Sequence, residues 1–239
     1  MGKYHILSEG STNAKLAKSD KVEEGAYYNV ILYLSPYTAN STGRTVCPYA
    51  TAECIKACLN TAGRGAFSNV QNARVRKTDL LFNNRETFLT LLTADLHKAQ
   101  AEADKLGKTL VVRLNGTSDL PWYEWLDFAT FPRAIFYDYT KGVERYQAYL
   151  QGKVPTNYHL AFSFTPEHKA ESLAFLAQSG RVSVVFSGAL PETWEGFPVV
   201  NGDEHDLIFI QPKGSVLGLK AKGKAKGMTA GGFIQIGKL

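Results

Sequence analysis

Short apolar runs alternate with helical segments along much of this 239-residue chain, and that rhythm most limits what it can fold into. Runs rich in β-branched and aromatic residues occur at Ala26–Leu34, Thr109–Leu114, Arg133–Tyr137, Tyr158–Phe164 and Val182–Phe186. Helical patterns lie between them. One covers Phe67 to about Phe82. Asn83, with Glu86 three residues on, signals the start of another. Its apolar residues Phe88, Leu92, Leu96, Ala99, Ala103 and Leu106 recur on one face until Gly107 ends it. Shorter helices are expected at Pro121–Phe128, Val143–Leu150 and Glu167–Gln178. Strands apolar along their whole length and separated by helices belong to parallel sheets buried under those helices. The expected class is therefore α/β, a partial (β/α) barrel of mostly parallel strands. A single domain over 1–239 is expected. Residues 1–26, polar and without period, form an N-terminal extension, 27–187 the core, and 188–239, glycine-richer and without a good helix, a β-rich segment.

The chain has three cysteines, Cys47, Cys54 and Cys58, all within the loop 38–65 that follows the first strand. Three thiols cannot pair off into disulfides. They can hold a metal site that lacks one protein ligand: an iron–sulfur cluster with an open iron, or a zinc ion with a fourth ligand from elsewhere. The C-x6-C-x3-C spacing matches no common zinc-finger pattern. Buried, structurally inert thiols are the plainer alternative. Pro48 suits a first helical turn, so a helix is expected just after Cys47. Cys54 and Cys58 would then share one helical face. Cys47 would have to reach them from a bent loop, for which Ser41–Arg44 provides the composition.

In parallel α/β folds functional groups gather where strands end. Here those ends carry Asn115, Ser118 and Asp119, then Asp138 and Lys141, then Ser163. With Arg64, glycine-flanked just beyond the cysteines, they are the candidate ligand-binding residues. Arg64 suits a carboxylate or phosphate. Asn115 and Asp119 are also the residue types that build turns and caps.

Composition adds an asymmetry. Residues 213–239 carry six lysines and no acid, which exceeds the net charge of +5 for the whole chain. Lys220, Lys222, Lys224 and Lys226 alternate, so in an extended strand they would share one face. Such a basic ribbon would be an anion-binding surface, for nucleic acid or an anionic cofactor, or simply a solvated edge. No apolar run is long enough to span a bilayer, and MGKYHILSEG carries no signal peptide. A soluble cytoplasmic protein with no membrane partner is expected.

Three segments, CPYATAECIKACLNTAGRGAF, VVRLNGTSDLPW, and VVNGDEHDLIF with GSVLGLKAKGKAKG, together resemble the phage gene product 88 family, in order, across most of residues 27–228. The resemblance implies a phage protein of the host cytoplasm, with virion association left open. A cysteine loop after an early strand is also similar in architecture to radical S-adenosylmethionine enzymes, which place three cysteines around a [4Fe–4S] cluster in a partial or full parallel barrel. That likeness implies such a cluster on Cys47, Cys54 and Cys58, with S-adenosylmethionine or another small ligand at the open iron. The spacing differs from their C-x3-C-x2-C, and a glycine-rich motif for the methionyl group is lacking. The competing class is a non-enzymatic protein, stabilised by zinc or a structural cluster, that binds nucleic acid or a virion component.

Overall fold

The computed structural model describes residues 4–61 and 63–237. Its strands are β1 (Ser8–Glu9), β2 (Tyr27–Ile31), β3 (Thr109–Arg113), β4 (Ile135–Thr140), β5 (Tyr158–Ser163), β6 (Val182–Ser187), β7 (Thr193–Trp194), β8 (Phe197–Asn201), β9 (Val216–Lys220) and β10 (Ile234–Ile236). Its α-helices are α1 (Ala14–Ser19), α2 (Ala52–Lys56), α3 (Ser68–Asn83), α4 (Arg85–Lys105), α5 (Val143–Leu150) and α6 (Lys169–Ala177). One sheet runs in the order β1-β2-β3-β4-β5-β6-β9-β8-β7, with β10 beside β6. Pairings are parallel except β1 with β2 and β7 with β8. The mostly parallel α/β class is as the sequence implies. The sheet is an open path from one edge to the other and does not close into a barrel.

Period-two alternation gives the sheet two unlike faces. Leu110, Val112, Phe136, Leu160, Phe162, Val182, Val184 and Phe186 meet Phe88, Leu92, Leu96 and Ala99 of α4, Tyr146 of α5 and Phe175 of α6. Each fully buried large side chain in this layer contributes roughly 1.5–3 kcal/mol. On the opposite face, Ile31, Val111, Tyr137, Ala161 and Leu217 pack with Leu16 of α1 and with Leu207 and Ile208. That second layer covers only part of the sheet. Toward the carboxyl ends of the strands the same face borders open space.

Several expectations need correction. The cap of α4 is Asn84, whose side chain accepts from Thr87 N at 3.0 Å, and α3 runs through Asn83. Pro121–Phe128 forms no α-helix but falls across the 3₁₀ turns Trp122–Glu124 and Phe128–Thr130. Side chains hold that stretch instead: Asn115 accepts from Leu120 N and Trp122 Nε1, and Asn157 donates to the carbonyls of Phe128, Phe131 and Ala134. Residues 4–26 are woven into the domain. Tyr4, Ile6 and Leu7 are buried in the helix-side core, and β1 pairs with β2. Buried Asp95 of α4 accepts from the backbone N–H groups of His5, Ile6 and Leu7 at 3.0, 2.6 and 3.0 Å. Met1–Lys3 of the N-terminal extension and Lys238 of the basic tail lie outside the described residues. The C-terminal segment is β-rich as expected, contributing β7 to β10.

Candidate functional site

A cavity of about 1700 Å³ opens at the carboxyl ends of the strands. Its floor is the sheet face away from the long helices. Arg113, Tyr139, Ser163, Ser183, Val185 and Leu219 all line it, and the registers Ser163↔Ser183 and Val185↔Leu219 place neighbours side by side. Alternation selects these residues: Arg113, Tyr139, Ser163 and Leu219 lie two positions beyond Val111, Tyr137, Ala161 and Leu217 of the cavity-side core, and Ser183 and Val185 alternate with Val182, Val184 and Phe186 of the helix side.

The cysteine loop forms one wall, and all three cysteines line the cavity. Thr51 caps α2 by accepting from Cys54 N at 3.2 Å. The helix is short, beginning at Ala52 and ending at Lys56, so Cys58 lies just past its end. The expected helix directly after Pro48 does not form; Cys47–Ala50 is a turn. Cys47 reaches the site from a bent loop, as anticipated. Its Sγ accepts from Tyr37 N at 3.4 Å and faces Thr117 O at 3.6 Å. Asp119 N donates to Val46 O at 2.9 Å, which ties this loop to the one after β3. That second loop packs closely. A Cβ on Gly116 would meet Leu32 O at 2.6 Å, so only glycine fits there. Burial pushes the Cys47 thiol up to about 12, with Asp119 and the other two thiols adding to the rise. Burial also raises Cys58; Cys54 adds to that, whereas Arg74 and Lys224 oppose it. The three thiols therefore sense one another across the cavity wall. Among the described residues, no three His, Cys, Asp or Glu side chains converge as the ligands of a single ion would.

The strand-end residues divide into two groups. Ser118, Asp119, Lys141, Ser163 and Arg64 border the cavity. Asn115 also touches it but is spent on scaffolding. Its Oδ1 accepts from Ser118 Oγ, Leu120 N and Trp122 Nε1, and its Nδ2 donates to Asp138 Oδ2 at 3.0 Å. Asp138 shares the strand parity of Phe136 and so points to the helix side, off the cavity wall. There it accepts from Asn115 N at 2.7 Å and Tyr158 OH at 3.0 Å. Arg145 bridges to Asp119 at 2.5 Å, and Lys141 N donates to the same carboxylate at 2.8 Å. This network stiffens the floor beneath the loop.

The lysines do not form a ribbon. β9 ends at Lys220, and Gly223, at φ +53°, turns the chain into a 3₁₀ segment through Gly227. Asp203 enforces the break by accepting from Lys220 N at 2.9 Å and pairing with Lys222 Nζ at 2.6 Å. Lys220 and Lys222 line the cavity, and Lys224 acts on Cys58. Lys226 is exposed away from it.

The model of the gene product 88 family matches residues 5–235, nearly the whole chain. The chain belongs to the gene product 88 family. No curated protein and no solved structure matches it. In this gene product 88 protein the site also holds residues that strand-end reasoning passed over. Arg74, Arg76 and Lys77 of α3 line the cavity, as do Lys15, Tyr33, Arg113, Tyr139 and Asp206. Asp206, fully buried, accepts from Arg113 Nη1 at 2.7 Å, Lys15 Nζ at 2.7 Å, Tyr137 OH at 2.8 Å and Tyr139 OH at 3.2 Å. Against the effect of burial, Arg113 and Lys15 hold its carboxyl well below the usual range. Parity along β3 and β4 was the available signal, because Arg113 and Tyr139 share a face with Val111 and Tyr137. In all, nine basic and four acidic side chains border the cavity, so its lining carries an excess of positive charge. No helix among the described residues is long and apolar enough to cross a membrane.

Proposed function

We propose that this protein binds a [4Fe–4S] cluster through Cys47, Cys54 and Cys58, and that one iron faces a small ligand in the adjoining cavity. One observation carries the reading: the chain's three cysteines, from one short loop, all line a single large cavity at the carboxyl ends of parallel strands. The donor chemistry fits as well. Thiolates are the ligands, and Arg74 and Lys224 provide positive charge at Cys58. When bound, such a cluster supplies an iron that is redox-active and Lewis-acidic. The chain's own part is to hold the thiols on a loop braced through Val46 and Asp119, and to border the space with cations. Because burial keeps Cys47 and Cys58 protonated in the metal-free protein, assembly must release protons and is favoured as pH rises.

The open sheet with its cysteine loop supports a likeness in architecture to radical S-adenosylmethionine enzymes, while the spacing and the missing glycine motif stop the reading at cluster plus small ligand. Anaerobic purification and reconstitution, followed by iron, sulfide and zinc analysis, tests it. About four iron and four sulfide per chain are expected. One zinc with no iron would favour the competing reading, a metal-stabilised binding protein whose exposed Lys224 and Lys226 meet nucleic acid or a virion component.

A further inference from the structure

The geometry points to an oxyanion seat in this cavity, beside Tyr33, in which Arg74 and Arg113 take the phosphate or carboxylate group of a small-molecule ligand. Arg74 is 7% exposed, lines the cavity and lies over the Tyr33 ring with Cζ at 4.8 Å from its centroid. Its Nη1 donates to Asn60 O at 2.9 Å and to Asn60 Oδ1. Its Nε is buried without a hydrogen-bond partner. Among the described residues it has no carboxylate partner; the ionisable neighbours that favour its charge are Tyr33 and Cys58.

Arg113 repeats the pattern on the same cavity. Its guanidinium lies over the Tyr139 ring at 4.7 Å, Nη1 is spent on Asp206, and Nε is buried without a partner. Asp206 also balances Lys15, so one carboxylate serves two cations. The β2–β3 register pairs Ile31 with Arg113, and Tyr33 lies two positions beyond Ile31, so Arg113 is near the ring that Arg74 covers; both arginines lower the Tyr33 pKa against the rise that burial causes. A desolvated guanidinium with no anion is costly, and a planar fork matches phosphate and carboxylate oxygens. The protein buries Arg74 without a carboxylate and leaves Asp206 to serve both Arg113 and Lys15; the anion that completes the balance must come with the ligand.

This inference does not depend on the cluster, so its test uses iron-free, reduced, full-length protein. Inorganic phosphate and succinate are titrated separately by calorimetry at constant ionic strength. Saturable binding of either at one equivalent is expected. Tighter binding of phosphate assigns a phosphoryl ligand, and tighter binding of succinate a carboxylate. Arg74→Gln is expected to weaken binding by about tenfold to a hundredfold, and Lys226→Gln to leave it unchanged. Arg74→Lys, which keeps the charge and loses the fork, guards against a folding defect in Arg74→Gln and should bind with intermediate affinity. Absence of binding by the wild type, or equal binding by folded Arg74→Gln or Arg74→Lys and wild type, overturns the seat. Iron content, measured separately, reports on the cluster alone.

Discussion

Two polar clusters lie at the same end of the sheet, and they are built on opposite principles. Under the loop that follows β3, Asn115, Asp119, Asp138, Arg145 and Tyr158 bond to one another and to backbone groups. Beside Tyr33, by contrast, Arg74 has no carboxylate partner among the described residues, and Arg113 and Lys15 share one. A closed network braces a scaffold, whereas an open one with surplus charge awaits a ligand. The difference separates residues that look alike in the sequence, since all are charged or amide groups near strand ends.

The largest expected effect breaks the closed cluster. Asp119→Ala leaves Arg145, whose side chain is 3% exposed, without its anion. A loss of about 3–5 kcal/mol in denaturant unfolding is expected. Next comes Asn115→Ala, which orphans Trp122 Nε1 and Leu120 N and should cost about 2–3 kcal/mol. Arg74→Gln should cost less than either, because it removes a buried charge that no carboxylate balances. If Arg74→Gln proves the most damaging of the three, the contrast between the clusters fails.

A smaller effect sharpens the comparison through pH. Burial pushes Asp138 up to about 7, against the pull of Arg145 and Asn115. An unfolded aspartate titrates near about 4. The folded state therefore binds the Asp138 proton more tightly, and this contribution is complete below about pH 4 and lost as pH rises through about 7. Asp206 has the opposite sign. Its lowered pKa contributes stability that is present above about pH 4 and lost as pH falls through its folded value. Asp138→Asn should flatten the decline in stability between about pH 4 and 7, as measured by urea unfolding across that range. An unchanged profile would mean that Asp138 is not a buried proton carrier. The smallest effect is expected at Lys226, exposed and off the cavity wall, where Gln should alter neither stability nor anion binding.

Much of the scaffold was legible because apolar periodicity is a local signal. The apolar stripe of α4 from Phe88 to Ala103 and the five parallel strands from β2 to β6 follow from it directly. The cysteine wall was legible because no other cysteine competes with it. Less local features were hidden. Asp138 looked like a ligand until its parity with Phe136 turned it toward the helices. Arg74 looked like one basic residue on an ordinary helix; its burial beside Tyr33 depends on how α3 crosses the strand ends. The alternating lysines suggested a ribbon, but Gly223 and the carboxylate of Asp203, seventeen positions before Lys220, end the strand. Residues 4–26 lacked period because their order comes from Asp95 and β2, not from a pattern of their own.

The central claim is that the three cysteines act together on one cluster, and iron stoichiometry tests it most directly. Wild type and the single variants Cys47→Ala, Cys54→Ala and Cys58→Ala are reconstituted anaerobically with iron and sulfide, desalted and assayed per folded chain. The wild type should hold about four iron and four sulfide, and each variant should lose most of both. Full iron retained in all three variants, or one zinc and no iron in the wild type, would contradict the account.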